Sequence, residues 1–370
     1  MSDVTCPFAP STRGLGEPDP VRAALHRSGP LVEAQAPAGG PVWIVTDAEL
    51  ARDVFADPRI SKDPALAPPS WDPRVAELEP PAAQQPALTT LEGDAHAALR
   101  RAHAPLLSAR RILAGYDRMT AIARELLGAL GDGPVDLTED FSTRYPLTVV
   151  CDLLGVPRER VDDAIAACRG MHSGDPAVVG AAMGAFADLA AAAVRDGDGI
   201  AVELAERMPA AMTGDDLYYQ LFALLFAGQL TTDPAVGFLV ARALTDPAAP
   251  EVLVRDTLRE HPPAPFSLWR FTTTEVELAG TRLPAGAPLL VDIQGVNDRT
   301  APADQDLSFG AGPHYCVGAQ LARYELEALA GVLRSDHPDA RLAVPRSELR
   351  EVRRGGIGGG RLAALPVVLR

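Results

Sequence analysis

Apolar residues recur at helical spacing along most of the chain, a pattern that predicts a mainly α protein with small β-sheets. Helical spacing runs from Asp94 to the end of the 120s and through Phe141–Leu154. It continues over Ala164–Arg195, where Gly174 to Pro176 breaks the pattern into two helices. Asp215–Leu244 predicts a long apolar helix, and Val252–Glu260 a shorter one ended by His261-Pro262-Pro263. In Gly318–Leu333, the residues Ala322, Leu326, Leu329 and Leu333 share one face. Strands are predicted at Pro41–Val45, Val276–Leu278, Thr281–Leu283 and Pro288–Ile293, with a strand-rich end over Arg341–Leu369. Thr46 or Asp47 caps a helix running to Phe55. Residues 1–40, rich in Pro and Gly, predict an irregular N-terminal segment with a short helix near Val21–Ser28. The prolines of 64–86 predict a long loop. With no repeat and no obvious interior linker, residues 1–370 are expected to form a single domain.

Two features of the apolar pattern carry further consequences. Pro234 falls inside the long helix and removes a backbone donor, which predicts a kink or a restart there. The longest helical apolar run, Leu221 to Gly228, is too short to cross a bilayer. The stretch Met1 to Pro30 shows no charged start followed by an apolar segment, so no signal peptide is visible and a cytoplasmic location without membrane attachment is expected.

Composition changes this picture in only a few places. A formal charge of −15 argues against nucleic acid as a partner, which needs a basic surface, though not against a local basic patch. The four cysteines, Cys6, Cys151, Cys168 and Cys316, form no CxxC pair and no disulfide framework, which fits a reducing compartment. Basic side chains are almost all arginine, and Lys62 is the single lysine.

Candidate chemistry concentrates in Phe309-Gly310-Ala311-Gly312-Pro313-His314-Tyr315-Cys316-Val317-Gly318. This is a glycine-rich loop that presents one Cys immediately before a helix. A helix N-terminus favours thiolate. The glycines let backbone approach a flat ligand and leave amides for the sulfur. The segment resembles the cytochrome P450 pattern Phe-x-x-Gly-x-His/Arg-x-Cys-x-Gly at every fixed position. The resemblance extends from about Pro41 to Leu369.

It implies a bacterial, soluble haem-thiolate protein with the cytochrome P450 fold, a triangular helical prism around haem b. Cys316 would be the axial ligand to iron, and a thiolate there favours O–O cleavage. Phe309, Gly310 and Gly318 would frame the haem from the loop. His96 and Arg100, in His96-Ala97-Ala98-Leu99-Arg100, would hold one haem carboxylate, with Arg270 and His314 as further contacts. Tyr145-Pro146 and Leu153-Leu154-Gly155-Val156-Pro157 resemble the family's middle helix and its stop. Ala227-Gly228-Gln229-Leu230-Thr231-Thr232 resembles its oxygen-activation motif, with Ala227 and Gly228 beside the haem and Thr231 and Gln229 as catalytic candidates. Thr231 would help to deliver protons, or would merely bond a carbonyl one turn back.

Three departures stand out. Leu230 occupies the acidic position of the oxygen-activation motif and cannot relay a proton. Asp256-Thr257-Leu258-Arg259 stands where the family has Glu-x-x-Arg, and Asp256 is expected to pair with Arg259. The segment from Asn297 to about Gln305, before the Cys loop, is shorter than the family's meander. The resemblance implies an oxidoreductase, a monooxygenase or an oxidative coupling enzyme, that tailors a secondary metabolite. The missing acid turns the expectation toward aromatic or peptide coupling or cyclisation and away from simple hydroxylation. Two alternatives stand beside it: an auxiliary protein that stabilises a partner enzyme, and a haem enzyme using peroxide or a nitrogen species.

The substrate, a small molecule or a peptide, would meet Trp71, Leu224, Leu230 and Phe266, together with Ser267, Leu268, Trp269 and Ile357. A ferredoxin-type electron donor would dock on a basic patch of Arg100, Arg101, Arg110, Arg111 and Arg323. These arginines are equally well read as scattered surface charges.

Overall fold

The structure, a computed structural model, describes residues 6–76, 85–171, 173, 175–300 and 306–370. Two compact units form. One comprises Met1–Ala97, Asp256–Cys316 and Ser347–Arg361, the other Ala98–Arg255, Val317–Arg346 and Leu362–Arg370. They interleave along the chain. The helices Gly93–His103 and Pro250–Glu260 each run through a boundary, so neither unit is a separable stretch of sequence.

The first unit is built on a five-stranded sheet. Pro41–Val45 forms as its β-branched residues predict, burying Val42, Ile44 and Val45. It pairs antiparallel with Leu31–Gln35 across a turn in which Gly39 and Gly40 both take positive φ. On its other side it runs parallel to Pro288–Val291, followed by Arg270–Thr272 and the edge strand Ile60–Ser61. Of the predicted irregular segment 1–40, residues 1–5 lie outside the described residues, and 6–40 are less irregular than expected, since Ser11–Gly14 is a strand too. Its partner, Arg350–Arg353, is far away in sequence and gives no local signal.

The run 288–293 is also not one strand. Asp292 ends it by capping the helix Ile293–Arg299, its carboxylate accepting from the Gly295 amide. The predicted strands Val276–Leu278 and Thr281–Leu283 form a hairpin. Ala279 and Gly280 both have the positive φ that such two-residue turns need.

The second unit is helical, with a three-stranded sheet of Arg341–Leu342, Pro366–Val368 and Pro134–Asp136 at one side. Gly214–Ala243 is its central helix, started by a capping box between Thr213 and Asp216. It packs along Phe141–Leu154 so closely that a Cβ on Gly228 would sit 3.4 Å from Val150. Ala319–Asp336 packs on Tyr116–Gly128 and on the long helix. Ile200–Arg207 is a short helix that its eight residues hid among glycines. The helices Val161–Met171 and Pro176–Asp196 fall where a break was expected, although Gly174 itself lies outside the described residues.

Pro234 does not restart the long helix, which stays continuous through it. The membrane expectation also needs correcting. Pro176–Asp196 and Gly214–Ala243 are both long and apolar enough to cross a bilayer by length and composition. In the longer helix 61% of the most apolar window is buried within the protein. Gln229 and Asp233 are buried there with hydrogen-bonded side chains, so its apolarity serves a protein core.

Candidate functional site

The Cys loop is fixed by backbone geometry. The Gly310 amide donates to Leu307 O at 2.8 Å, and the Cys316 amide closes the loop on Phe309 O at 2.9 Å. Between them lies one tight turn, Gly312–His314. Gly310 and Gly312 take φ of +70° and +68°. A Cβ on Gly312 would lie 2.4 Å from the Phe55 carbonyl oxygen, so the end of helix Ala48–Ala56 can meet the loop only at glycine. Phe309 and Tyr315 face each other across the loop with ring centroids 6.4 Å apart. Cys316 emerges exposed, two residues before Gly318 caps the helix Ala319–Asp336.

Behind the loop the first unit gathers charge. His314 contacts the Leu88 carbonyl through Nδ1 and Glu92 through Nε2, both at 3.1 Å. Its ring centroid lies 4.1 Å from that of His96, so two histidines far apart in sequence come together. Glu92 takes a second bond at 2.5 Å from the Lys62 amide. Burial works against its charge. The His314 and Lys62 hydrogen bonds prevail and bring its carboxyl down to about 2. Arg270 is buried, with its guanidinium over the Phe55 ring at 4.7 Å, and its Nε has no hydrogen-bond partner. Burial lowers its pKa to about 10, with Glu92 opposing. Arg100 follows His96 by one turn on the same helix and is half-buried. Sequence reasoning passed over Glu92 and gave Lys62 no role, because a single acid ahead of a helix and a single lysine in a loop carry no periodicity.

In the second unit, the central helix is buried except along one stripe. Ala227, Leu230 and Thr231 are exposed and Leu224 and Gly228 half-buried; Leu224, Ala227, Gly228 and Thr231 have the i, i+3, i+4, i+7 spacing of one helix face, and Leu230 lies at its edge. Thr231 Oγ1 donates to Ala227 O at 2.8 Å, the local bond that sequence left open. Pro234 has no N–H, so the Leu230 carbonyl lacks its helical donor. Gln229 points the other way, into the core. Its Nε2 donates to Asp233 at 3.2 Å and its Oε1 has no partner. Asp233 also accepts from Ser142 at 2.7 Å and from Thr143 at 2.6 Å. One turn of helix thus carries a buried carboxylate on its back and aliphatic groups with one hydroxyl on its front.

Other expected residues fall elsewhere. Trp71, Phe266, Trp269 and Ile357 belong to a hydrophobic core, with Leu268 half-buried against it. The Trp269 indole donates to Ala76 O at 2.6 Å, and Ser267 Oγ is used by the Val291 amide. These side chains are packed in the core, where aromatic bulk fills the sheet's core face. Arg259 spends its guanidinium on the carbonyls of Asn297 and Thr300, binding the shortened segment directly and not through the expected pairing with Asp256. Residues 301–305 of that segment lie outside the described residues, as do 77–84 of the loop 64–86. Of the basic candidates, Arg101 and Arg110 are exposed, and Arg111 is paired with Glu203.

No family model matches the chain. It is 39% identical to the cytochrome P-450 monooxygenase DoxA of Streptomyces sp. strain C5, over 98% of this chain and 97% of that protein. The chain is a cytochrome P450. The vitamin D(3) 25-hydroxylase of Pseudonocardia autotrophica is 31% identical to it, over 90% of this chain and 89% of that one. Among solved structures, SgvP superposes on this P450 with a TM-score of 0.82 at 27% identity, covering 98% and 97% of the two chains. SgvP is a candidate thioether synthase of the griseoviridin tailoring step.

The protein is thus a P450-type oxidoreductase with haem b as its cofactor. Its residues fit that group. An exposed thiol stands at the end of a rigid loop, and a buried guanidinium with an unused N–H suits a carboxylate.

Proposed function

We propose that this P450 uses Cys316 as the thiolate ligand of haem b and His96, Arg100, Arg270 and His314 to hold the haem carboxylates. In this reading it oxidises a natural product in the cytoplasm, with electrons from a ferredoxin-type donor. The accessible Cys316, on a loop that glycine geometry locks, carries the reading. Haem, when bound, supplies the oxidising power. The chain's own residues hold it, meet the substrate and manage protons. Arg270 and the histidines neutralise its carboxylates. The exposed face of Leu224, Ala227 and Leu230 offers an apolar wall to the substrate, and Thr231 alone on that stripe can exchange a proton. Its hydrogen is committed to Ala227 O, so its oxygen is free to accept. The bare Leu230 carbonyl adds an acceptor, and no acid stands on that face.

That shortage supports coupling, cyclisation or a related bond-forming oxidation, which needs fewer delivered protons than hydroxylation. The description of SgvP as a candidate thioether synthase supports this reading. A second reading, oxygen insertion such as hydroxylation, is favoured by the names of the two relatives above, a monooxygenase and a 25-hydroxylase.

Three measurements test the proposal. The reduced, carbon-monoxide-bound protein should show the red-shifted Soret band of thiolate ligation, and Cys316→Ser should abolish it. A persisting band in that variant overturns the ligand assignment. Turnover under ¹⁸O₂ of a substrate found by spin-shift screening should leave the product unlabelled. Incorporated ¹⁸O would establish hydroxylation instead. Turnover with peroxide but not with a ferredoxin chain would replace the proposed electron donor.

A further inference from the structure

Lys62 is the only lysine in a chain that otherwise uses arginine, and it is only 8% exposed. It directly follows the edge strand Ile60–Ser61. That strand sets Ile60 against Thr272 and Ser61 against Phe271, and one more step of the same register brings Lys62 opposite Arg270. Arg270 is itself 3% exposed. Like charges directly opposite each other on paired strands repel, and burial removes the water that would screen them. Glu92 is the carboxylate that acts on both cations. Both its oxygens are already engaged, Oε1 by the Lys62 amide and Oε2 by His314. Burial, then Arg270, pushes the Lys62 ammonium down to about 7, while Glu92 and the Cys316 thiol draw it up. Among the described residues, two buried cations thus share Glu92 as the carboxylate acting on both, within electrostatic reach of the Cys loop.

We infer that Lys62 is a further haem-holding residue of this chain, its ammonium joining Arg270 in binding a carboxylate of the cofactor. The inference rests on the haem reading above. The cofactor carboxylate supplies the negative charge that Lys62 and Arg270 together lack. Glu92, anchored to the Lys62 backbone, positions the lysine and does not neutralise it.

Haem retention tests this. Holoenzyme is mixed with excess apomyoglobin and haem transfer is followed in the Soret region. Lys62→Met should release haem about tenfold faster than the wild type, the typical cost of removing one charged hydrogen-bond partner. Lys62→Arg should stay within about threefold, since the charge is kept. Enzyme carrying haem dimethyl ester, which has no carboxylate charge, separates binding from mere packing. There the wild type and Lys62→Met should release at rates within about twofold, because the coupled partner is gone from both. Should the methionine variant not fold, Lys62→Gln carries the same comparison.

Equal release of ordinary haem by variant and wild type overturns the inference. So does the same acceleration with both haems, the mark of a purely structural lysine. Either result leaves the thiolate band, and with it the haem-thiolate reading, intact. A missing thiolate band with the Lys62 coupling preserved would sink the Cys316 assignment alone. A wild type that binds no haem would sink both.

Discussion

The unit of this P450 that carries Cys316 and the unit that carries the long helix hold their functional residues in opposite ways. Around Cys316 the key side chains are charged or aromatic, largely buried and bonded to one another, from His314 and Glu92 to Arg270 over Phe55. On the long helix the accessible stripe is aliphatic, and the polar groups Gln229 and Asp233 have turned into the core. The difference teaches that cofactor retention and proton handling are separable demands. A carboxylate-holding cluster must satisfy buried charge, so each member constrains the others. A helix stripe facing open space has no such mutual constraint, and one position can pass from acid to leucine without cost to the fold.

The comparison can be broken most severely at Gly312. Gly312→Ala places a Cβ against the Phe55 carbonyl at positive φ and should cost roughly 3 kcal/mol or more, with haem content falling together with the melting temperature. Unchanged haem content would show that the loop is not held by that approach. Next comes Asp233→Ala. It orphans the hydroxyls of Ser142 and Thr143, so stability in urea should fall by about 2 kcal/mol while the Soret band stays in place. A shifted band would mean that this carboxylate serves the haem after all.

Leu230→Asp sharpens the contrast by restoring an acid to the stripe. The variant should direct at least about tenfold more of its consumed electrons into oxygenated product, at the modest end of what a positioned proton donor contributes. No change in coupling would mean that the proton route does not pass along this face.

The smallest effect concerns pH. Burial raises the Glu325 carboxyl to about 8, with Thr232 donating to it and opposing the rise. The folded form therefore keeps this proton between the ordinary carboxylate pKa and about 8 while the unfolded chain releases it, so stability falls as pH rises through that window. Glu325→Gln should flatten that slope by at most ~1.4 kcal/mol per pH unit, read from urea midpoints at pH 5, 6.5 and 8. An unaltered slope would show that Glu325 is charged in the fold.

Much of this was legible in the sequence wherever the signal was local. Pro41–Val45 and Phe141–Leu154 form over the predicted residues, because β-branching and a 3.6-residue period act within the segment. The Cys loop was legible for the same reason, since its glycines and its Cys lie within ten residues. What stayed hidden depends on partners far apart. The strand Ser11–Gly14 exists through Arg350–Arg353, and Arg270–Thr272 through neighbours on either side. Glu92 matters only because Lys62 and His314 reach it. The aromatic run at 266–269 was ambiguous because a Trp or Phe in sequence reads equally as pocket wall or core, and its burial shows only in the fold.

The strand pairings also say something about how the chain must be made. Ser11–Gly14 waits for Arg350–Arg353, and Pro134–Asp136 for Pro366–Val368. A ribosome would have synthesised more than three hundred residues before the first of these pairs could close. Each unit thus leaves the tunnel with an unpaired strand edge, the kind of surface that chaperones protect and that aggregates when left bare. A chain halted near residue 345 would be stranded in that condition, its central helices formed and both edges still open.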